Sequence, residues 1–428
     1  MQKVFINVVL CSLALGASAQ NRIDLGNQVQ GVLPARNGGN PALVATSFPG
    51  SDIGAQINAA YKACAANTGC AIIVPPPAGG GFYTMTTPVV FGTSGKNISL
   101  DCMVSSGPEN GAIRFAGEGV AVTVDTGSGV NPAHGVSSIN NCQFFGLNAS
   151  GEEPKNTQVG LRLGLSPTVS TTNGAIGFHL TNSNFFGFGI GVEWGANTWG
   201  TLFTNSWFYS NAVELRFQSP YDSGENISMA GGGIGGGTVE LAGIADFHFS
   251  QVSFDATQIH SSVQRSDFLQ CHFEDYLPSS LPFIVAVNGE VSVTDSTMLQ
   301  DANKGTLGGP LIAASGISNI VIRGLFEDSN IKLPNLFTLS GSATLEETSP
   351  VGLWANSYNT ATPVGNTGTG AWMFEQSPGV FLGTGAMFPR ILGPVTAPSG
   401  TCTAKGAWVF SQDGHATFCD GSTWTKKI

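Results

Sequence analysis

One syllable returns along this chain from about residue 90 to residue 350. A run of alternating apolar residues ends in a polar or glycine-rich turn, and another run begins. The clearest copies are INNCQFFG (139–146), LTNSNFFG (180–187), FTNSWFYS (203–210), FSQVSFDA (249–256), FLQCHFED (268–275), TDSTMLQD (294–301) and VIRGLFED (321–328). With Phe145, Phe186, Phe208, Phe254, Phe273, Leu299 and Phe326 taken as equivalent, the intervals are 41, 22, 46, 19, 26 and 27 residues. The two long intervals are near twice the short ones, so a coil is expected to hide in each, with GGGIGGG (231–237) in the second. A period of roughly 20–27 residues belongs to a solenoid, and strand-like units without helical spacing select stacked β-coils over helical or leucine-rich repeats. The expected fold is all-β, a parallel β-helix over residues 51–350. Inward Phe, Leu, Ile and Val would stack at ~4.8 Å, with Gly and Asn at the corners.

Composition removes other classes. Charged residues make up 11 % of the chain and glycine supplies 58 of 428 residues, which is poor material for helix surfaces. Lys and Arg number 17 against 28 Asp and Glu, a net charge of −11 that excludes a nucleic-acid binder working through clustered basic residues. With 27 Phe the chain has ample material for a core, which argues against disorder.

Met1 to Ala19 reads as a cleavable secretory signal, with Lys3, the apolar run Val4–Leu15 and the small residues Ala17-Ser18-Ala19. The run is too short to cross a membrane, and no second stretch reaches the ~18 apolar residues a span needs. A secreted or cell-surface protein, with no membrane span, is expected. Residues 20–50 read as an extended N-terminal segment. Residues 51–75 hold an amphipathic helix, with Ile53, Ile57, Ala60, Tyr61 and Cys64 on one face and Ser51-Asp52 as capping oxygens, placed to cover the first coil. Residues 351–399 read as an irregular linker, and 400–428 as a small C-terminal β unit. Of eight cysteines, Cys11 falls in the signal. Cys64/Cys70 and Cys402/Cys419 are the close pairs expected to be bridged, Cys102/Cys142 is a further candidate pair, and Cys271 is left over as a buried thiol. No cysteine or histidine spacing fits a structural zinc site.

The block from Asp52 to Phe91, an Ala-rich helix followed by IIVPPPAGGGFYTMTTPVVF, resembles the opening of the pectate-lyase-like superfamily, in its rhamnogalacturonase/epimerase-like and tailspike-like branch. The coil endings CHFED and GLFED are similar to coils there. The resemblance covers about residues 50–345 and implies a right-handed parallel β-helix with an N-terminal capping helix. It also implies a polysaccharide partner, since that superfamily holds polygalacturonases, polysaccharide lyases, phage depolymerases and non-catalytic members. The Asn-Thr-Asp and Asp-Asp signature of polygalacturonases is absent, so no catalytic residue carries over. The stretch IDLGNQVQGVLPARNGG (23–39) resembles a segment of phage tail fibres, which admits a homotrimer.

Chemistry is sought on the coil faces. The alignment puts Asp255, Glu274, Gln300 and Glu327 on one row, followed by Asp275, Asp301 and Asp328 on a second. Inward Phe254, Phe273, Leu299 and Phe326 would turn the first row to solvent. Carboxylates on neighbouring coils would stand about 5 Å apart, and two coils apart about 10 Å. Those separations span the ≈5–5.5 Å of retaining and ≈6.5–9.5 Å of inverting glycosidases. Asp255, Glu274 and Glu327 are therefore the candidate catalytic carboxylates, although the same row also reads as solubilising residues at coil corners. His272 should share the outward face with Glu274, near Ser253, as proton shuttle, sugar ligand or ordinary surface histidine. Trp194, Trp199, Trp207 and Tyr209 cluster in the preceding coils. With Phe203 and Phe208 expected in the core, Trp207 and Tyr209 are left to stack on sugar rings. Gln300 and Arg265 complete the substrate-binding set.

A hydrolase needs no cofactor. A lyase would need a base, from among Arg216, Arg265 and Arg323, and often Ca²⁺. GGGIGGG has no strand–helix unit around it and is no phosphate cradle. Two readings remain. One is a secreted polysaccharide-cleaving enzyme, hydrolase before lyase, for a neutral or weakly charged glycan. The other is a non-catalytic adhesin or glycan-binding or structural fibre.

Overall fold

Over most of the described chain each turn lays down three strands, and each strand pairs in parallel with its counterpart one turn away. The protein is seen here as a computed structural model that describes residues 42–64, 69–92, 97–103, 112–125, 137–146, 157–164, 175–195, 198–218, 224–274, 281–299, 310–327, 335–348, 364–377, 380–384, 399–401, 408–410 and 416–426. The first ladder opens with Ala42–Val44, Cys70–Val74, Ile98–Cys102 and Ser138–Asn140. The second opens with Tyr83–Met85, Ile113–Phe115 and Gln143–Phe145, and the third with Val89–Phe91, Val120–Val124 and Val159–Leu163. The result is nearly all β, with one α-helix, Ile53–Ala63, among the described residues.

The corner between first and second ladders shows why this sequence turns where it does. Asn141, Asn182, Asn205, Gln251, Gln270 and Asp295 all adopt left-handed backbone, with φ between 47° and 57°. Such a conformation costs a branched side chain heavily but is tolerated by Asn. Their side chains also bond along the corner: Asn182 Nδ2 donates to Asn141 Oδ1 at 3.3 Å, and Gln251 Nε2 to Gln270 Oε1 at 3.2 Å. Immediately inside lies a column of small residues. There the backbone N–H of Cys142 donates to Ser183 Oγ, and that of Cys271 to Ser296 Oγ.

Aromatic residues stack down the interior. Phe144 and Phe185 lie 5.0 Å apart and nearly parallel, as do Phe254 and Phe273 at 5.2 Å and Phe249 and Phe268 at 5.2 Å. Register corrects the sequence alignment in places. The inward column is Phe144, Phe185, Phe208, Ile234, Phe254, Phe273 and Met298. The interval around GGGIGGG does hide a coil, whose inward residue is Ile234. The earlier long interval hides none, because Phe144 pairs directly with Phe185, and the extra residues lie in the connections 146–158 and 164–178.

Asp52 caps the helix, accepting from the Ala55 N–H at 2.8 Å. Its other oxygen accepts from the Thr86 N–H, the Thr86 hydroxyl and the Thr87 N–H. Ile53, Ile57, Ala60 and Tyr61 are buried and continuous with the ladder core. Gly54 has no room for a Cβ beside the Thr87 carbonyl and Met85.

The parallel ladder overruns the boundaries drawn from sequence. It begins at Ala42–Val44 and continues past residue 350 through Val364–Asn366 and Trp372–Ser377. From there pairing becomes antiparallel, through Val380–Thr384, Trp408–Phe410, Ala416–Cys419 and Trp424–Lys426. Cys64–Cys70 and Cys102–Cys142 are disulfides, and Cys271 is a buried free thiol whose pKa burial raises to about 12. Cys419 is disulfide-bonded, while Cys402, expected as its partner, lies outside the described residues, as do the signal and the tail-fibre-like segment. No described helix is long and apolar enough to cross a membrane.

Candidate functional site

Strands of the second ladder such as Ser253–Asp255 and His272–Glu274 bury their middle residue and present the two flanking ones outward. Stacked in register, they make two outward columns. One runs Gln143, Asn184, Trp207, Gly233, Ser253, His272, Thr297, and the other Phe145, Phe186, Tyr209, Gly235, Asp255, Glu274. Asp255 and Glu274 are thus direct partners on neighbouring strands, ~4.8 Å apart at the backbone. His272 sits beside Ser253, as the sequence implied.

The aromatic end of the site is built on glycine. Trp207 is 42 % exposed and Tyr209 half-buried, with ring centroids 5.7 Å apart. Both rings lean over the following coil: a Cβ on Gly233 would run into the Trp207 ring, and one on Gly235 into the Tyr209 ring. Burial pushes the Tyr209 pKa to about 12, helped by the negative charges of Asp255, Glu214 and Glu274. The hydroxyl is therefore a donor across the working pH range, within electrostatic reach of both carboxylates. His272 Nε2 is enclosed and has no hydrogen-bond partner.

Glu214 has no signal in the sequence. It is fully buried behind the turn that follows Tyr209, and accepts from the Asn211 N–H at 3.1 Å and from the Asn211 side-chain amide. Burial drives its pKa well up, against the hydrogen bonds of Asn211 and the Gly237 N–H. Asn211 also accepts from the Phe188 N–H and donates to the Phe185 carbonyl, so the pair plugs a corner.

Connections leaving the second ladder vary in length around the site. After the strands ending at Phe186, Tyr209, Gly235 and Asp255 they span residues 187–189, 210–212, 236–237 and 256–257. The preceding coil spends 146–158 on the same connection, and the coil after Asp255 spends 275–283.

Several expected residues sit elsewhere. Glu327 pairs in register with Met298, and Phe326 with Thr297, so Glu327 does not extend the Asp255–Glu274 column. The reason is that Gly324 takes the corner and Leu325 the first inward position, which shifts VIRGLFED by one residue. Leu299 is instead the register partner of Glu274. Gln300, Asp275, Asp301 and Asp328 lie outside the described residues. Arg265 belongs to the first ladder, where it bonds Asp267 at 2.8 Å and lies 3.7 Å from Glu290. Its hydrogen bond and charge pairing with Asp267 raise its pKa further, which disqualifies it as a base. His248 Nδ1 lies 2.9 Å from the same Asp267. Trp194 is core, stacked on Phe203, and Trp199 bridges Ile176. Phe203 and Phe208 are buried as expected.

Sequence reasoning also missed a charge ladder on the outer face of the third sheet: Arg162, Glu193, Arg216, Glu240 and His260 in register. Arg162 bonds Glu193 at 2.7 Å and Arg216 bonds Glu240 at 2.9 Å. Among the described residues no group of three or more His, Cys, Asp or Glu is arranged to hold a metal ion.

No family model matches the chain, and no curated protein matches it. Among solved structures it is similar to DFA-IIIase from Arthrobacter chlorophenolicus A6, without its lid and in complex with GF2. That likeness has a TM-score of 0.42 and 12 % identity, covering 77 % of this chain and 94 % of the other. The Geobacillus virus E2 ORF18 protein gives 0.41 and 12 %, covering 90 % and 76 %, and the Acinetobacter phage vb_AbaP_AS12 gp42 tailspike gives 0.38 and 10 %, covering 90 % and 82 %. At such scores and identities these likenesses carry no argument about site, substrate or activity.

Proposed function

We propose that this protein is a secreted carbohydrate-active enzyme that binds a glycan over Trp207 and Tyr209 and hydrolyses it with Asp255 and Glu274. One observation carries the reading: the two carboxylates are register neighbours on an outward face that continues, coil by coil, into the two tilted aromatic rings. A rung spacing of ~4.8 Å suits the ≈5–5.5 Å between carboxyl groups in retaining glycosidases. One carboxylate would attack the anomeric carbon while the other protonates the leaving oxygen and then activates water. The Tyr209 hydroxyl would donate to the sugar or to the attacking carboxylate. A net charge of −11 and the Asp255–Glu274 pair favour a neutral or weakly charged glycan over a polyuronate.

A panel of polysaccharides tests this directly. Glu274→Gln and Asp255→Asn should each cut release of reducing ends at least 100-fold while shifting stability by no more than about 1 kcal/mol, since both side chains are only half-buried. Unchanged release in both variants would sink the assignment. The second reading, a glycan-binding protein that cleaves nothing, rests on the exposed Trp207 alone. It predicts binding that Trp207→Ala abolishes, with no products from the unmodified protein.

A further inference from the structure

On the same coils, past the short turns 236–237 and 256–257, the outer face of the third ladder contains a cavity of about 380 Å³. We propose that this cavity is a second binding site, separate from the Trp207–Glu274 face, and that it takes a neutral sugar unit. Its lining includes Gln218, Glu240, His260, Ser262, Val285 and Val287.

Polar atoms there are fixed before any ligand arrives. Glu240 Oε2 accepts from Arg216 Nε at 2.9 Å and from Gln218 Nε2 at 3.2 Å, which leaves Oε1 to the cavity with the carboxylate held in place. His260 is the register partner of Glu240 one rung on. Its Nε2 lies 2.8 Å from Gln258 Oε1, and the Gln258 amide nitrogen is committed to the Pro282 carbonyl at 2.8 Å. The oxygen end of that amide therefore faces the imidazole, so Nε2 carries the hydrogen and Nδ1 of the neutral ring is an acceptor. Ser262 Oγ donates to the Leu241 carbonyl at 3.3 Å, and its lone pairs stay available. A carboxylate acceptor on one rung and imidazole and hydroxyl acceptors two residues apart on the next, beside apolar Val285 and Val287, match a ring that has hydroxyl donors on its edge and C–H groups on its face.

Charge selects among ligands. Among the described residues the cation bordering the group, Arg216, is already spent on Glu240, so an anionic ligand would meet a carboxylate whose positive partner is engaged. The volume lies at the small end of the 300–1,000 Å³ of ligand sites, which limits the occupant to one or two sugar rings.

Calorimetric titration of the full chain tests the idea, using cello-, xylo-, malto- and mannohexaose, with hexagalacturonate as the anionic control. In a Trp207→Ala/Tyr209→Ala background at least one neutral hexasaccharide should still bind, and Ser262→Trp, at an exposed position, should weaken that binding at least tenfold. His260→Ala, which removes the acceptor without filling the cavity, should weaken it as well. Hexagalacturonate should bind at least tenfold more weakly than the best neutral sugar. The proposal falls if the aromatic double variant binds no neutral sugar, if Ser262→Trp and His260→Ala leave binding unchanged, or if hexagalacturonate is preferred. Failure here leaves the Trp207–Glu274 reading standing, because that reading fails on unchanged product release in Glu274→Gln and Asp255→Asn.

Discussion

Two aspartates respond to pH in opposite senses. Burial alone would raise the Asp52 pKa, but the Thr86 hydroxyl and the backbone N–H groups of Ala55, Thr86 and Thr87 bring it down to about 2. Its contribution to stability is therefore present above the unfolded value near 4 and is lost as pH falls toward 2. Asp125 is buried with both oxygens unpartnered, and desolvation raises its pKa to about 6. Its folded form prefers the proton, so stability present below pH ~4 declines as pH rises through 6. Thermal melts between pH 2 and 7 should show Asp52→Ala losing roughly 1 kcal/mol at neutral pH, a deficit that vanishes near pH 2. Asp125→Asn should gain on the parent chain above pH 6. The Ser51-Asp52 cap was legible because capping is local in sequence. Asp125 was not, since its isolation depends on which coil covers it.

Glycine acts differently at neighbouring positions of the strand Ile227–Gly235. Gly232 holds φ +83° with its Cα against the Ser206 backbone, whereas Gly233 has ordinary backbone and faces the Trp207 ring. Gly232→Ala should cost about 1–3 kcal/mol through strain, seen as a lowered melting temperature. Gly233→Ala should leave the melting temperature within a few degrees but displace the indole, shifting tryptophan emission and weakening glycan binding. Equal loss of stability in both would contradict this division of roles. At this scale the sequence was read nearly, but not fully, in register. Doublets such as Phe144-Phe145, Phe185-Phe186 and Met298-Leu299 offer two apolar residues for one inward position, and only the pairing decides which turns in. The charge ladder from Arg162 to His260 was invisible for another reason. Each member stands alone in its own stretch, and the steps between them are unequal, because turns and connections between the ladders differ in length from coil to coil.

A stack of coils has no single core boundary, so its stability is distributed along the axis. Cys102–Cys142 ties neighbouring coils across 40 residues, a loop whose closure is worth about 4 kcal/mol in the chain-entropy model. Replacing both by Ala should lower amide-exchange protection in strands Cys70–Val74, Ile98–Cys102 and Ser138–Asn140 while Ile284–Val287 and Ile312–Ser315 stay protected. Uniform loss along the whole chain would show instead that the stack melts as one unit. The coil period, the all-β character and the bridged cysteines Cys64–Cys70 were legible because they repeat or lie close in sequence. The reach of the ladder beyond residue 350 was not, since Val364–Asn366 has no aromatic residue and the next Phe-Glu ending, Phe374-Glu375, stands alone 48 residues beyond Phe326-Glu327. The turns after Phe186, Tyr209, Gly235 and Asp255 run to only two or three residues, so that side of the stack stays low over three rungs, or about 14 Å. The room this leaves for a polymer is counted in rungs, so grafting a long insert into the turn after Asp255 would shutter it.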